Sequence, residues 1–232
     1  MNNNTRNLTA ASDRVRKLTA ISLFCALAYI CLFFIKFKVS FLTFDLKDAI
    51  MTIGAMYFGP VSAVVMPGVV SFLEFLTISD TGVYGLIMNF LASASFCLTA
   101  SLIYKLRKKM SGAIIGLVSA AAVMTAVMMA ANLFITPYYM GCTTAEVKSM
   151  IPTLLFPFNL VKGIVNASVV MLLYKPFSSI LKASGIYRGN DYGQKIASNG
   201  KISWRIIAAV VSVAVLIASL LFLFLYLKAS IA

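Results

Sequence analysis

The stretch FPFNLVKGIVN, residues 156–166, decides how this chain is read. It lies inside a long apolar run, yet it carries Pro157, Asn159, Lys162 and Asn166. A lysine at the centre of a membrane helix costs roughly 2.5–3.5 kcal/mol on insertion scales, so it faces a cavity or a partner rather than lipid. Asn159 and Lys162 are three residues apart and Asn166 is four further on, which puts all three on one helical face. The same energetic argument turns that face into a bundle. Pro157 has no N–H to donate and frees the carbonyl one turn earlier. Two readings of Lys162 stand together: a cation facing a ligand, or a member of a structural ion pair with Asp45, Asp48 or Glu74. They overlap, because an ion pair can line a site.

The rest of the composition fits a hydrocarbon surrounding. Of 232 residues, 61% are hydrophobic and 12% charged, whereas a soluble domain is about half apolar and a quarter charged. The chain therefore reads as an all-α integral membrane protein. Its net charge of +13 does not point to nucleic acid, because the charges flank the apolar runs. Arg6, Arg14, Arg16 and Lys17 precede the first run, and Lys105, Arg107, Lys108 and Lys109 follow the fourth. Lys175, Lys182, Arg188, Lys195, Lys201 and Arg205 surround the last linker. With the N-terminus cytoplasmic, these clusters put fourteen of the twenty Lys and Arg residues inside; Lys36, Lys38, Lys47, Lys148 and Lys228 fall outside. The positive-inside bias then implies a multi-pass protein of the cell membrane.

Spans are expected at about 18–36, 48–65, 66–79, 83–104, 112–135, 151–174 and 206–227. The second and third meet near FGP, residues 58–60, and the third is short, with Pro67, Gly68 and Glu74 inside it. This gives a cytoplasmic arm at 1–17, a six-helix membrane domain at 18–176, a basic cytoplasmic linker at 177–205 and one additional C-terminal transmembrane helix at 206–227. The segment between the first two spans is expected to be an aromatic loop, and the stretch around Pro137, Glu146 and Lys148 a second loop.

Chemistry of other kinds is poorly supported. The chain has no histidine, and Cys25, Cys31, Cys97 and Cys142 form no CxxC, so neither a zinc spacing nor a His-based triad is available. No GxxxxGK[ST] loop is present to cradle ATP, so energy for any transport must come from partner proteins. No enzyme, metal or resident cofactor is expected.

Four further groups of residues stand out. Asn132, in NLFITPYY (132–139), offers a donor and an acceptor side by side, and Phe134, Tyr138 and Tyr139 could stack on a flat ring. Asn89 in MNFL is a weaker candidate of the same kind. In FLTFDLKD (41–48), Phe41 and Phe44 could cover an apolar ligand, while Asp48 suits a helix cap. Ser22 and Ala26 form a small-xxx-small pair in the first span, as do Gly112 and Gly116 in the fifth; such pairs let helices approach closely.

These residues resemble the riboflavin-specific substrate-binding S components of energy-coupling factor (ECF) transporters. The likeness covers roughly residues 15 to 176 and rests on FLTFDLKDA (41–49), FGP, NF (89–90), NLFITPYY and FPFNLVKG (156–163). It implies a six-helix S-component body with a pocket open to the outside for riboflavin or a related flavin such as FMN. It also implies docking on a transmembrane coupling protein driven by two cytosolic ATPases. On this resemblance Asn132, Asn159 and Lys162 contact the flavin and Leu42, Thr43 and Phe44 belong to a lid loop; Asn89 and Tyr139, read from their own chemistry, are further substrate-binding candidates. Ser22 and Ala26 match the surface that meets the coupling protein. The sequence departs from the family pattern at Val70 and Ser71, where a lysine and an asparagine are expected, and at Leu86, where a glutamate is. An S component for another small cyclic vitamin or nucleobase-like solute, or a membrane assembly protein, is the alternative. The feature that separates them is whether Asn132, Asn159 and Lys162 converge.

Overall fold

The computed structural model describes residues 3–107, 110–183, 210–219 and 221–222. Helix α1 (Asn3–Phe34) leads into a two-stranded antiparallel hairpin, β1 (Lys36–Val39) and β2 (Leu42–Asp45). There follow α2 (Lys47–Phe58), α3 (Ser62–Thr77), α4 (Gly82–Leu106), α5 (Met110–Met140) and α6 (Thr144–Met150). A π-helical turn (Ile151–Leu155) joins α6 to α7 (Phe156–Ala183). The final apolar run is described only in part, as the short helix Val210–Ser219 and residues 221–222; its remainder and the linker from 184 lie outside the described residues.

Helix α2 is the centre of the body. It is buried on all sides, from Lys47 to Tyr57 with the exception of Ile50, as a helix apolar all round must be. A ladder of contacts sets its direction. Asp48, Thr52 and the Ala55 carbonyl meet Ser93, Cys97 and Ser101 of α4 in turn, so α2 and α4 run parallel. Ala49 meets Asn166 and Tyr57 stacks on Tyr174, with centroids 5.6 Å apart at 8°, so α7 runs parallel to them as well. Helix α3 runs back beside α2, and α5 runs back between α4 and α7.

Among the described residues, four segments are long and apolar enough to cross a membrane: Arg14–Phe34, Gly82–Leu106, Met110–Met140 and Thr144–Tyr174. Helix α2, with 12 residues, is shorter than the second span expected from sequence, whereas α3, with 16, is slightly longer than the third. At 1.5 Å per residue they reach only about 18 and 24 Å against a hydrocarbon core of about 30 Å. The break falls at residues 59–61, at the expected FGP, although the approximate span edges ran to 65; Gly59 takes φ +94°, a conformation that L side chains rarely adopt, and ends α2 there. Pro67, near the expected boundary, lies inside α3.

Two expected loops are ordered elements. The aromatic stretch is the β1–β2 hairpin, with Lys36 opposite Asp45 and Val39 opposite Leu42. The stretch after Asn132 continues as α5 through Pro137 to Met140, turns at Gly141 and re-enters helix as α6. A capping box starts α6: the Thr143 hydroxyl accepts from the Glu146 N–H, and the Glu146 carboxylate accepts from the Thr143 N–H. That signal, T-x-x-E, was present in the sequence.

Close approach of α7 to α5 depends on Gly163. A Cβ built there would lie 2.9 Å from Ala121 Cβ and 3.0 Å from its Cα. Such overlap has no flexible side chain to absorb it. Gly163→Ala is expected to destabilise the fold by about 1–3 kcal/mol through overpacking, measured as a lowered unfolding midpoint of the detergent-purified protein.

Candidate ligand-binding site

The chain alternates direction, so the ends of α1, α3 and α5 share one end of the bundle with the starts of α4 and α7. The hairpin sits at that end. The opposite end holds the start of the α1 span, the α2–α3 turn and the α4–α5 connection. Arg14, Arg16, Lys17, Lys105 and Arg107 therefore lie at the end away from the hairpin.

A pocket with about 660 Å³ of empty space, including its open mouth, lies beneath the hairpin. Phe41, Leu42 and Thr43 of the hairpin form one wall. Tyr84, Met88 and Asn89 come from α4, Met128, Asn132 and Tyr139 from α5, and Phe158, Asn159 and Lys162 from α7. The Tyr84 and Tyr139 rings, 6.3 Å apart, join α4 to α5 beside it. The lining is largely apolar and aromatic with a few convergent polar groups, the make-up usual for small-molecule sites.

The polar groups are held in place by their own helices. The Asn132 amide donates to the Met128 carbonyl at 2.7 Å, and its oxygen accepts from the Thr136 hydroxyl at 2.9 Å. The Asn159 amide donates to the Leu155 carbonyl at 2.8 Å, the last residue of the π-helical turn. Pro157 follows directly. It removes the N–H that a regular helix would supply there, and the wider turn results.

Lys162 is both a pocket residue and an ion-pair residue. Its ammonium lies 2.9 Å from Asp45 Oδ2, 3.9 Å from Asp48 Oδ2 and 3.3 Å from the Thr43 carbonyl. Glu74, the third partner considered from sequence, is engaged elsewhere: it accepts from Lys36 at 3.0 Å and from Lys47 at 2.5 Å. Lys47 is wholly buried, not in an aqueous loop as the charge count assumed, because Glu74 and Asp45 (3.8 Å) compensate it. This second pair has no local signature, since its members are 27 residues apart.

Several sequence expectations are corrected. Phe44 does not line the pocket; it is buried beneath the hairpin, edge-on to Phe158 with centroids 6.3 Å apart. It shares a strand face with Leu42, which lies nearer the tip and reaches the pocket. Phe134 and Tyr138 are 74% and 78% exposed and face away from the pocket, leaving Tyr139 from that aromatic group. Asp48 caps nothing: its carboxylate accepts from the Ser93 hydroxyl at 2.5 Å. The start of α2 is satisfied instead by Asn166, whose oxygen accepts from the Ala49 N–H at 3.0 Å. Asn166 thus holds α2 to α7 behind Lys162. Val70, Ser71 and Leu86 lie off the pocket lining.

Outside the spans, Lys38 of β1 is paired with Asp80 in the α3–α4 turn. The Lys38 ammonium holds the Asp80 carboxyl below its ordinary range and is itself raised by it. A depressed carboxyl pKa contributes above the unfolded value and is lost only as pH falls through the folded one, so this exposed link persists at neutral pH.

A family model described as "ECF transporter, substrate-specific component" matches residues 16–174. The chain belongs to this family. It is 35% identical over 177 residues to the riboflavin transporter RibU of Staphylococcus aureus (strain TCH60), covering 72% of this chain and 93% of that protein. It is 25% identical over 174 residues to the riboflavin transporter FmnP of Bacillus subtilis (strain 168), covering 69% and 91%. A solved structure of the S component of a bacterial ECF transporter superposes with a TM-score of 0.63 at 35% identity, over 73% of this chain and 99% of that one.

Lys162→Met is expected to act on folding as well as on any ligand, because it strands two buried carboxyls. A loss of about 3–5 kcal/mol is expected, as for other broken buried pairs. Adding Asp45→Asn should recover part of it, and denaturant unfolding of the two variants in detergent measures the difference.

Proposed function

We propose that this chain is the riboflavin-binding subunit of an ATP-driven vitamin importer of the ECF type. The observation that carries the reading is the convergence of Asn132, Asn159 and Lys162 on one aromatic pocket, in a chain 35% identical to a riboflavin transporter. The isoalloxazine ring is flat and apolar and suits Phe41, Met88, Phe158 and Tyr139. Its pyrimidine edge alternates donors and acceptors, which the two carboxamides can match. Leu42 and Thr43 close the pocket from the hairpin, Asn89 offers a further polar group, and Phe44 supports the hairpin from behind.

Positive-inside bias supports a cytoplasmic N-terminus, since the basic residues of α1 and α4 gather at the end opposite the pocket. The pocket then opens outward, where a nutrient is captured. A transmembrane coupling protein and two cytosolic ATPases would supply the energy. The outer face of α1 is suited to the coupling protein: Ser22 and Ala26 are exposed there, whereas Ala20, Phe24 and Ala28 turn into the core. Residues 18–176 form the binding domain in this reading, and 206–227 an added membrane helix joined by the basic linker.

The electrostatics favour an uncharged ligand. Lys162 reads from sequence as a cation that would tolerate a phosphate, yet two carboxyls already compensate it. A phosphorylated flavin would bring a dianion to a partner whose charge is spent. Riboflavin is therefore expected to quench its own fluorescence on binding at micromolar protein or below, and FMN to bind about tenfold or more weakly, as burial of an uncompensated charge requires. Flavin fluorescence unchanged by the protein would overturn the flavin reading. Ser22→Trp or Ala26→Trp is expected to leave flavin binding intact and abolish uptake in cells; joint loss of both would show that α1 uses this face for its own packing.

A further inference from the structure

The hairpin contributes three residues to the pocket, all at or beside its tip, yet its stem lies on a different set of groups. Lys36 opens β1, Asp45 closes β2 directly opposite, and Lys47 begins α2. One carboxylate on α3 reaches both sides of this stem. Glu74 Oε1 accepts from Lys36 at 3.0 Å and Oε2 accepts from Lys47 at 2.5 Å. Lys47 continues to Asp45 at 3.8 Å, and Asp45 to the pocket lysine at 2.9 Å. Glu74 itself does not line the pocket.

We infer that Glu74 is a positioning residue for the ligand site: by bonding Lys36 and Lys47 together it sets the angle at which the hairpin stands over the pocket. The inference rests on the flavin-binding reading above. Neutralising the buried Lys47 would need only one carboxylate oxygen. The second is used on Lys36, whose side chain is 17% exposed and could reach water without a partner. That bond gains little solvation and instead ties the start of β1 to α3. Its leverage is geometric. Stem and tip are four to five strand residues apart, about 15 Å, so a tilt of about 5° at the stem moves Phe41 and Leu42 by about 1 Å. The hairpin has other holds, namely Phe44 on Phe158, the Thr43 carbonyl on Lys162, and Lys38 on Asp80. These act along its length, whereas Glu74 ties its base, through Lys36 on one side and Lys47 beyond the other, to α3.

The test uses the full-length protein with Lys36→Met, which cuts the link to β1 and leaves Lys47 compensated, and with Glu74→Gln, which weakens both links. Riboflavin dissociation is followed by fluorescence after dilution, and backbone amide exchange over residues 36–45 is followed without ligand. Lys36→Met is expected to speed dissociation about tenfold, the worth of a charged hydrogen bond. It should also speed hairpin exchange while leaving exchange in α4 and α5 unchanged, and Lys36→Arg should restore both. Wild-type dissociation and hairpin exchange in Lys36→Met would overturn the inference, whether or not Glu74→Gln folds. If the unmodified protein binds no flavin, the functional reading fails by itself, and the exchange arm still decides whether Glu74 holds the hairpin.

Discussion

Six charged side chains alternate in sign through the upper half of this protein. Lys36, Glu74, Lys47, Asp45, Lys162 and Asp48 follow one another at separations of 2.5–3.9 Å, ending on the Ser93 hydroxyl. Five of the six are buried. Unpaired, each would be prohibitive in a hydrocarbon surrounding; alternating, three lysines and three carboxyls compensate one another. The ladder draws the hairpin, α2, α3 and α7 to one place, and Ser93 adds α4. Three walls of the pocket, the hairpin, α4 and α7, are held there, and α5 supplies the remaining one.

That constraint explains how a small body keeps a polar site open. Helix α2 is too short to span by itself and is enclosed by neighbours, so its start is free to gather buried charge. Asn166 completes the arrangement from α7, accepting from the Ala49 N–H and donating to the Asp45 and Lys162 carbonyls. The result is a chamber whose polar groups are mostly satisfied before any ligand enters. A ligand then meets preset donors and acceptors in an apolar wall, which suits a flat, uncharged, hydrogen-bonding solute. The membership of the chain among ECF substrate-specific components agrees with that chemistry.

Much of the site was legible in residues 132–139 and 156–166. A lysine and two asparagines on one face of an apolar helix cannot face lipid, so the energetic argument pointed inward without coordinates. Asn132 was harder, because one asparagine near a span end has several ordinary uses. The misreadings share a cause. Phe44 and Phe41 look equivalent in an aromatic loop, but a hairpin alternates faces and buries one of them. Asp48 looked like a cap because it stands at a helix start, yet a serine 45 residues away claims its carboxylate. The α6 capping box is a local signal set within a stretch whose proline and charged residues resemble a loop.

By itself, the sequence determined the membrane class, the inward face of α7 and the gathering of basic residues on alternate connections. Each follows from transfer energies or from spacing along one helix, which are local quantities. Which acid meets which lysine, and where α2 and α3 part, became visible in the packed fold. That fold also decided which side of the hairpin faces the cavity. Those outcomes turn on distances between residues far apart in the chain, and no local pattern of polarity encodes such distances.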